Sequence, residues 1–254
     1  MRTIAVMNQK GGVGKTTTAV NLSHGLALKG WRVLAVDLDP QGHMSTSLGA
    51  APTAINLDTV LRGEAGIHSA AVEVRKGLDL VSPGARLNEV DGLSSGGAAR
   101  GWLLRDALRE VSGYDYLIID CPPSSGLLGM NAILATKELL IPVSGDYLAL
   151  AGLSRLMGII KTLETRTART THNWILLTRF QKRRRHAREV ERKIHSYFPQ
   201  QLLRTRISEA VALTESPSFG KTIFEYKPNS ASAAEYRDLT MDIINRQESA
   251  KAKR

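Results

Sequence analysis

One stretch limits the folds open to this chain more than any other: Asn8-Gln9-Lys10-Gly11-Gly12-Val13-Gly14-Lys15-Thr16-Thr17. Thr3 to Met7, ahead of it, is short, apolar and β-branched, which reads as a buried strand. Thr17 to Lys29, behind it, carries Val20, Leu22, Leu26 and Leu28 among small residues and reads as a helix ending at Gly30. A strand, a glycine-rich turn and a helix make a phosphate cradle. The glycines let backbone N–H groups converge on an anion, and the helix N-terminus adds the positive end of its dipole. In such a loop Lys15 neutralises the β- and γ-phosphates and the Thr16 hydroxyl completes a Mg²⁺ shell. The usual spacing wants glycine at the position of Gln9; this chain instead carries a second lysine, Lys10, ahead of Gly11-Gly12-Val13-Gly14.

The remaining pattern extends this unit into a sheet. Apolar runs at 32–37, 78–81, 114–120, 139–143, 174–178 and 204–207 read as strands. Helices are expected at 102–111, 150–165, 182–198 and 230–247, the last with Tyr236, Leu239, Ile243 and Ile244 on one face. Residues 43–75, broken by Gly49, Pro52, Gly63 and Gly66, suggest short helices and loops, and the glycine- and serine-rich stretch 92–101 suggests a mobile connection. Alternating strands and helices predict an α/β fold, a mostly parallel twisted sheet with helices on both faces. Its 254 residues suit one domain, 1–247, with a polar tail at 248–254. No apolar run approaches the ~20 residues of a membrane span. Met1-Arg2 leads straight into the first strand, so no signal peptide is expected. A single cysteine, Cys121, cannot form an internal disulfide, fits a reducing cytoplasm and reads as a buried inert thiol.

Two acidic strand ends stand out. Arg32–Val36 leads into Asp37-Leu38-Asp39-Pro40-Gln41-Gly42, and Tyr114–Ile119 leads into Asp120-Cys121-Pro122-Pro123-Ser124. Carboxylates at the C-terminal ends of parallel strands lie beside the phosphate loop, where ligands bind in such sheets. Together with the Lys-Gly-Gly-Val-Gly-Lys-Thr-Thr loop, these stretches resemble the deviant Walker A ATPases of the ParA/MinD family, relatives of the nitrogenase iron protein. The resemblance runs from Met1 to about Ile244 and includes Glu215–Lys221 and Tyr226–Ser230. It implies a P-loop ATPase that takes ATP and Mg²⁺, slow alone and stimulated by a partner. Gly11, Gly12, Val13, Gly14, Lys15, Thr16 and Thr17 then cradle the nucleotide. Thr16 binds the metal directly, Asp120 holds it through water, and Asp37 supports that shell. Asp39 orients the attacking water, since an aspartate at pH 7 positions better than it deprotonates. Lys10 crosses a two-fold interface to the partner's phosphates. A cation with no partner in the monomer would make ATP the switch for a homodimer. The adenine is expected near Thr178-Arg179 and Ile207-Ser208-Glu209, with Thr178 and Ser208 as contacts; closer relatives commonly carry Ile-Pro-Arg at the second segment.

Charge points to the partner. The net charge is +10, and residues 182–193 hold seven Lys/Arg against two Glu. Lys182, Arg183, Arg184, Arg185, Arg188, Arg192 and Lys193 make a surface for phosphates that needs no base reading. No helix-turn-helix precedes the loop, so a sequence-specific reader is not expected. The resemblance to Soj-type proteins places DNA-binding arginines on this helix and on 211–215, where Ala212 stands at a position expected to be arginine. It implies a cytoplasmic, nucleoid-associated protein that works with a ParB-like or other adaptor to position a plasmid, a chromosome origin or a protein body such as a carboxysome. The alternatives are a MinD-like membrane-surface ATPase and an iron-protein-like reductase. The first needs bulky apolar residues beside lysines at the very end of the chain, where Gln247–Arg254 has none; the second needs paired cysteines. No membrane partner is expected.

Overall fold

The central strands are apolar at nearly every position, which demands cover on both faces. The computed structural model describes residues 1–92, 97–124, 126–146 and 148–251. Its strands are β1 (Arg2–Val6), β2 (Val33–Asp37), β3 (Ala71–Arg75), β4 (Leu78–Val81), β5 (Tyr116–Asp120), β6 (Glu138–Ser144), β7 (His172–Phe180) and β8 (Leu202–Ser208). They form one sheet in the order β3-β4-β2-β5-β1-β6-β7-β8. Every pairing is parallel except β3 against β4. Side chains alternate strictly between faces. Ile4 and Val6 enter the core shared with helices Lys15–Leu28 and Ala231–Lys251, through Leu22, Leu26, Tyr236 and Leu239. Ala5 and Met7 enter the core shared with helices Leu127–Ala135, Leu148–Thr167 and Arg185–Tyr197, through Leu128, Leu156, Ile160, Val190 and Ile194. The fold is the α/β sheet expected from the alternation.

Four local expectations change. Edge strand β3 falls inside the stretch read as helices and loops; Val72-Glu73-Val74-Arg75 does alternate, but the neighbouring glycines hid so short a run. The helix expected from Lys182 begins at Arg185, after a turn closed by the Arg184 amide on the Gln181 carbonyl at 2.9 Å. The helix expected over 102–111 is a short α-helix, Leu103–Ala107, between two 3₁₀ turns, Gly97–Trp102 and Leu108–Glu110. The last helix runs on to Lys251, so part of the expected tail is helical; residues 252–254 lie outside the described ones. Of the expected mobile connection, 93–96 also lie outside them.

At the N-terminal ends of the strands a closed polar cluster holds three elements. Glu138 accepts from Arg2 Nε at 2.5 Å and Nη2 at 2.6 Å, and from Trp174 Nε1 at 2.7 Å. The Arg2 guanidinium also lies 5.9 Å from the Tyr116 ring centre.

Candidate functional site

At the opposite, carboxyl ends the chain leaves β1 through the glycine loop. Gly12 (φ 71°) and Gly14 (φ 84°) occupy the left-handed region, where any other residue is strained. The turn delivers Lys15 to the first position of its helix, and the Gly14 carbonyl accepts from the Thr18 amide at 2.9 Å. Lys15 is buried, with Nζ 3.2 Å from the Lys10 carbonyl oxygen. Burial pulls its pKa down, against Asp120, Cys121 and Asp39, which push it up. A buried ammonium whose one hydrogen bond among the described residues goes to a carbonyl is ready to exchange that partner for an anion.

Strand register sets Asp37 opposite Asp120 on adjacent strands. Both are fully buried, and they differ in their partners. Asp37 Oδ2 accepts from the Ser45 amide and hydroxyl, each at 2.8 Å, and Oδ1 from the Asp39 amide at 3.3 Å. Burial still raises its pKa to about 6. Neither carboxylate oxygen of Asp120 has a partner at full hydrogen-bond geometry among the described residues. Burial, then Asp37, push its pKa well up, against the Thr16 hydroxyl and Lys15, which stand near enough to pull it down. Such an orphaned carboxylate costs several kcal/mol if ionised, unless a cation with its waters comes to it. Thr16 and Lys15 stand at the same end, so the donor set fits Mg²⁺, which keeps waters and takes one or two protein oxygens beside phosphate. Asp39 lines the same cavity, with Oδ1 held by the Gln41 amide at 3.0 Å.

That cavity, about 770 Å³, runs from Gly11, Gly12, Gly14, Lys15, Thr16 and Thr17 to Ile207, Ser208, Leu213, Pro217 and Tyr236. It brings the phosphate loop and both expected base segments together, and its size suits a nucleotide. A family model described as an AAA domain matches residues 1–172. The Caulobacter vibrioides chromosome partitioning protein ParA is 37% identical over 260 residues, covering 100% of this chain and 97% of that protein. The chain belongs to the ParA/Soj family of partition ATPases. The Bacillus subtilis sporulation initiation inhibitor protein Soj is also 37% identical, over 250 residues that cover 94% of this chain and 97% of that one. A Mycobacterium smegmatis structure described as cobyrinic acid a,c-diamide synthase with bound ADP and magnesium superposes with a TM-score of 0.84, at 29% identity and 98% and 96% coverage. This ParA/Soj-family chain is a P-loop ATPase whose cofactors are ATP and Mg²⁺.

Two expected contacts turn inward. The Thr178 hydroxyl donates to the Val13 carbonyl at 2.7 Å, and the Ser208 amide and hydroxyl both go to Glu235, at 2.8 and 2.5 Å. These residues shape the cavity wall while their polar groups serve the protein. Beside Thr178, Arg179 has φ 48°, left-handed for a non-glycine residue. Its guanidinium donates to Glu209 at 2.7 and 3.1 Å and to the Gly12 carbonyl at 3.3 Å. An exposed ion pair returns about 0.2–1 kcal/mol, while such a backbone costs about 1–2 kcal/mol. Stability alone does not account for the arrangement.

Lys10 corrects an expectation. In the single chain it has a partner: Nζ lies 2.8 and 2.7 Å from the two carboxylate oxygens of Asp146. Burial raises the Asp146 pKa, but Lys10, the Ser144 hydroxyl and the Ala149 amide outweigh it and hold the carboxyl below its usual range. Both side chains remain about half exposed, so the pair is readily exchanged. Asp146 follows β6 as Asp37 and Asp120 end β2 and β5; the strand-end rule that singled those out points to it too.

The basic segment is exposed at Lys182, Arg183, Arg184, Arg185, Arg188, Arg192 and Lys193, while Ala187, Val190 and Ile194 anchor the helix. Arg185 pairs with Glu189, and Glu191 is drawn to Arg206 on β8. Ala212 is buried in the core shared with the first helix, so this chain presents no basic side chain there. Cys121 is buried, and burial pushes its thiol pKa well up, as expected for an inert cysteine.

Proposed function

We propose that this ATPase pairs face to face around MgATP, binds DNA without sequence preference as the pair, and positions a cargo with an adaptor that stimulates hydrolysis. The observation that carries the reading is the division of labour between two lysines of one loop. Lys15 is buried at the mouth of the cradle. Lys10 stands at the rim on an exchangeable carboxylate. The γ-phosphate of a facing copy is a stronger anionic partner than Asp146, so triphosphate turns a resting ion pair into a contact between copies. Thr16 and Asp120 hold the metal, which when bound neutralises developing phosphate charge. Asp37 keeps the 39–45 turn in place through Ser45, and Asp39 aligns the water. Hydrolysis removes the group that Lys10 holds, and Lys10 returns to Asp146.

The exposed arginines and lysines of 182–193 supply the DNA surface, in keeping with an overall charge of +10. A lipid surface has less support: Tyr236, Leu239 and Ile243 of the last helix are buried on the sheet, and no helix among the described residues is long and apolar enough to cross a membrane. Replacing Arg183, Arg184 and Arg185 together by Glu tests the DNA surface. With MgATPγS, retention on duplex DNA of arbitrary sequence falls at least tenfold at about 0.1 M salt, while nucleotide affinity stays within about twofold. Retention equal to the parent protein's contradicts the reading.

A further inference from the structure

β7 and β8 fall out of step at two points, between the Ile175–Leu202 and Leu177–Arg206 pairings and again before Phe180; the second is the one that matters here. Leu177 sits opposite Arg206 and Phe180 opposite Ser208, so β7 spends one more residue than β8 between the two pairings. The irregularity covers Thr178 and Arg179. In a regular strand consecutive side chains point to opposite faces. Here the bulge and the left-handed Arg179 send both to the phosphate loop, Thr178 to the Val13 carbonyl and Arg179 to the adjacent Gly12 carbonyl. Away from the loop the contacts continue. Arg179 donates twice to one oxygen of Glu209, Gln181 Nε2 donates to the other, and the Gln181 backbone carbonyl closes the turn by accepting from the Arg184 amide. Arg179 and Glu209 also line a second, polar cavity of about 350 Å³ with Lys10, Asp146 and Arg184.

We propose that Arg179 and Glu209 form a positioning clamp that transmits occupancy of the phosphate loop to the basic turn at 182–184 and the first turn of the helix behind it. The inference rests on the reading of the loop as a nucleotide site, and it requires nothing of DNA. Phosphates seated on the loop amides draw the guanidinium from Glu209, because Arg engages phosphate through the same paired N–H groups that it offers a carboxylate. Glu209 then loses two of its three hydrogen bonds, and Gln181 loses the fixed acceptor that orders its turn. The nucleotide-free protein holds the basic turn in one fixed geometry, its side chains already exposed; the loaded protein loosens it.

Hydrogen–deuterium exchange across 181–188, with and without saturating Mg²⁺ and ATPγS, tests this in the parent protein, Arg179→Gly and Glu209→Gln. Glycine takes the left-handed backbone without strain, so the first variant keeps its fold. In the parent, nucleotide speeds exchange of these amides at least fivefold. Both variants exchange at the fast rate without nucleotide and respond less than twofold to it when each is saturated, as read with a fluorescent ATP analogue; Arg179→Gly, which lacks a phosphate ligand, needs more analogue to saturate. A parent whose 181–188 amides ignore bound nucleotide overturns the clamp, as do variants that respond as the parent does. A parent that fails to bind the analogue overturns the nucleotide reading, and the clamp with it.

Discussion

At the N-terminal ends of the strands Glu138 has Arg2 on both oxygens and Trp174 as a third donor, whereas at the carboxyl ends Asp120, fully buried, has no full hydrogen bond among the described residues. The first arrangement is closed, and the second is open. Around Asp120 the same openness recurs: Lys15 has its one hydrogen bond among the described residues to a carbonyl, and Lys10 holds a half-exposed carboxylate. A closed buried network fixes a fold, because removing one member strands the other. An open one is destabilising until something outside the chain completes it, which is how a ligand site differs from a structural cluster in the same sheet.

That contrast can be broken from either end. Glu138→Ala should lose the most, about 3–5 kcal/mol in urea unfolding, since the Arg2 guanidinium is left buried and uncompensated; a loss under about 1 kcal/mol would mean the cluster is not closed. Asp120→Asn should do the reverse, raising the stability of the nucleotide-free protein by about 2 kcal/mol at pH 8, because it removes a buried charge whose oxygens lack full hydrogen bonds and whose burial outweighs the pull of Lys15. The same change should abolish Mg²⁺-dependent hydrolysis. Destabilisation by this variant would show a bond to Asp120 that the geometry lacks.

Asp37 sharpens the comparison through pH. Its pKa rises from 3.8 to about 6 on folding, so between those values the native state holds a proton that the unfolded chain has lost. Stability from this group is therefore complete below pH 3.8 and declines as pH rises through about 6. Without nucleotide, unfolding free energy should fall by about 1.5 kcal/mol between pH 5 and 7.5 in the parent relative to Asp37→Asn. Parallel curves for the two proteins would remove that shift.

The phosphate loop, the acidic strand ends and the parallel sheet were legible because each rests on local chemistry: glycines where φ is positive, β-branched runs, acids where strands stop. Other features needed the third dimension. Asp146 lies 136 positions from the lysine it holds. The bulge that turns Arg179 toward Gly12 is a mismatch between two strands and leaves no mark in either alone. Ser208 lines the cavity, but Glu235, which takes its polar groups, sits on a helix 27 positions away. Edge strand β3 was readable from Val72-Glu73-Val74-Arg75, yet glycine breaks outweighed four alternating residues.

The smallest effect on folding should come from Lys10, the residue proposed to join two copies. Lys10→Ala should change the unfolding free energy by less than about 1 kcal/mol, because its pair with Asp146 is half exposed. Light scattering on the MgATPγS-loaded proteins then decides the central claim, that triphosphate joins two copies through Lys10. The account predicts twice the chain mass of 27.7 kDa for the parent and the single mass for Lys10→Ala. A parent that stays single when loaded, or a Lys10→Ala variant that pairs as readily, would contradict it.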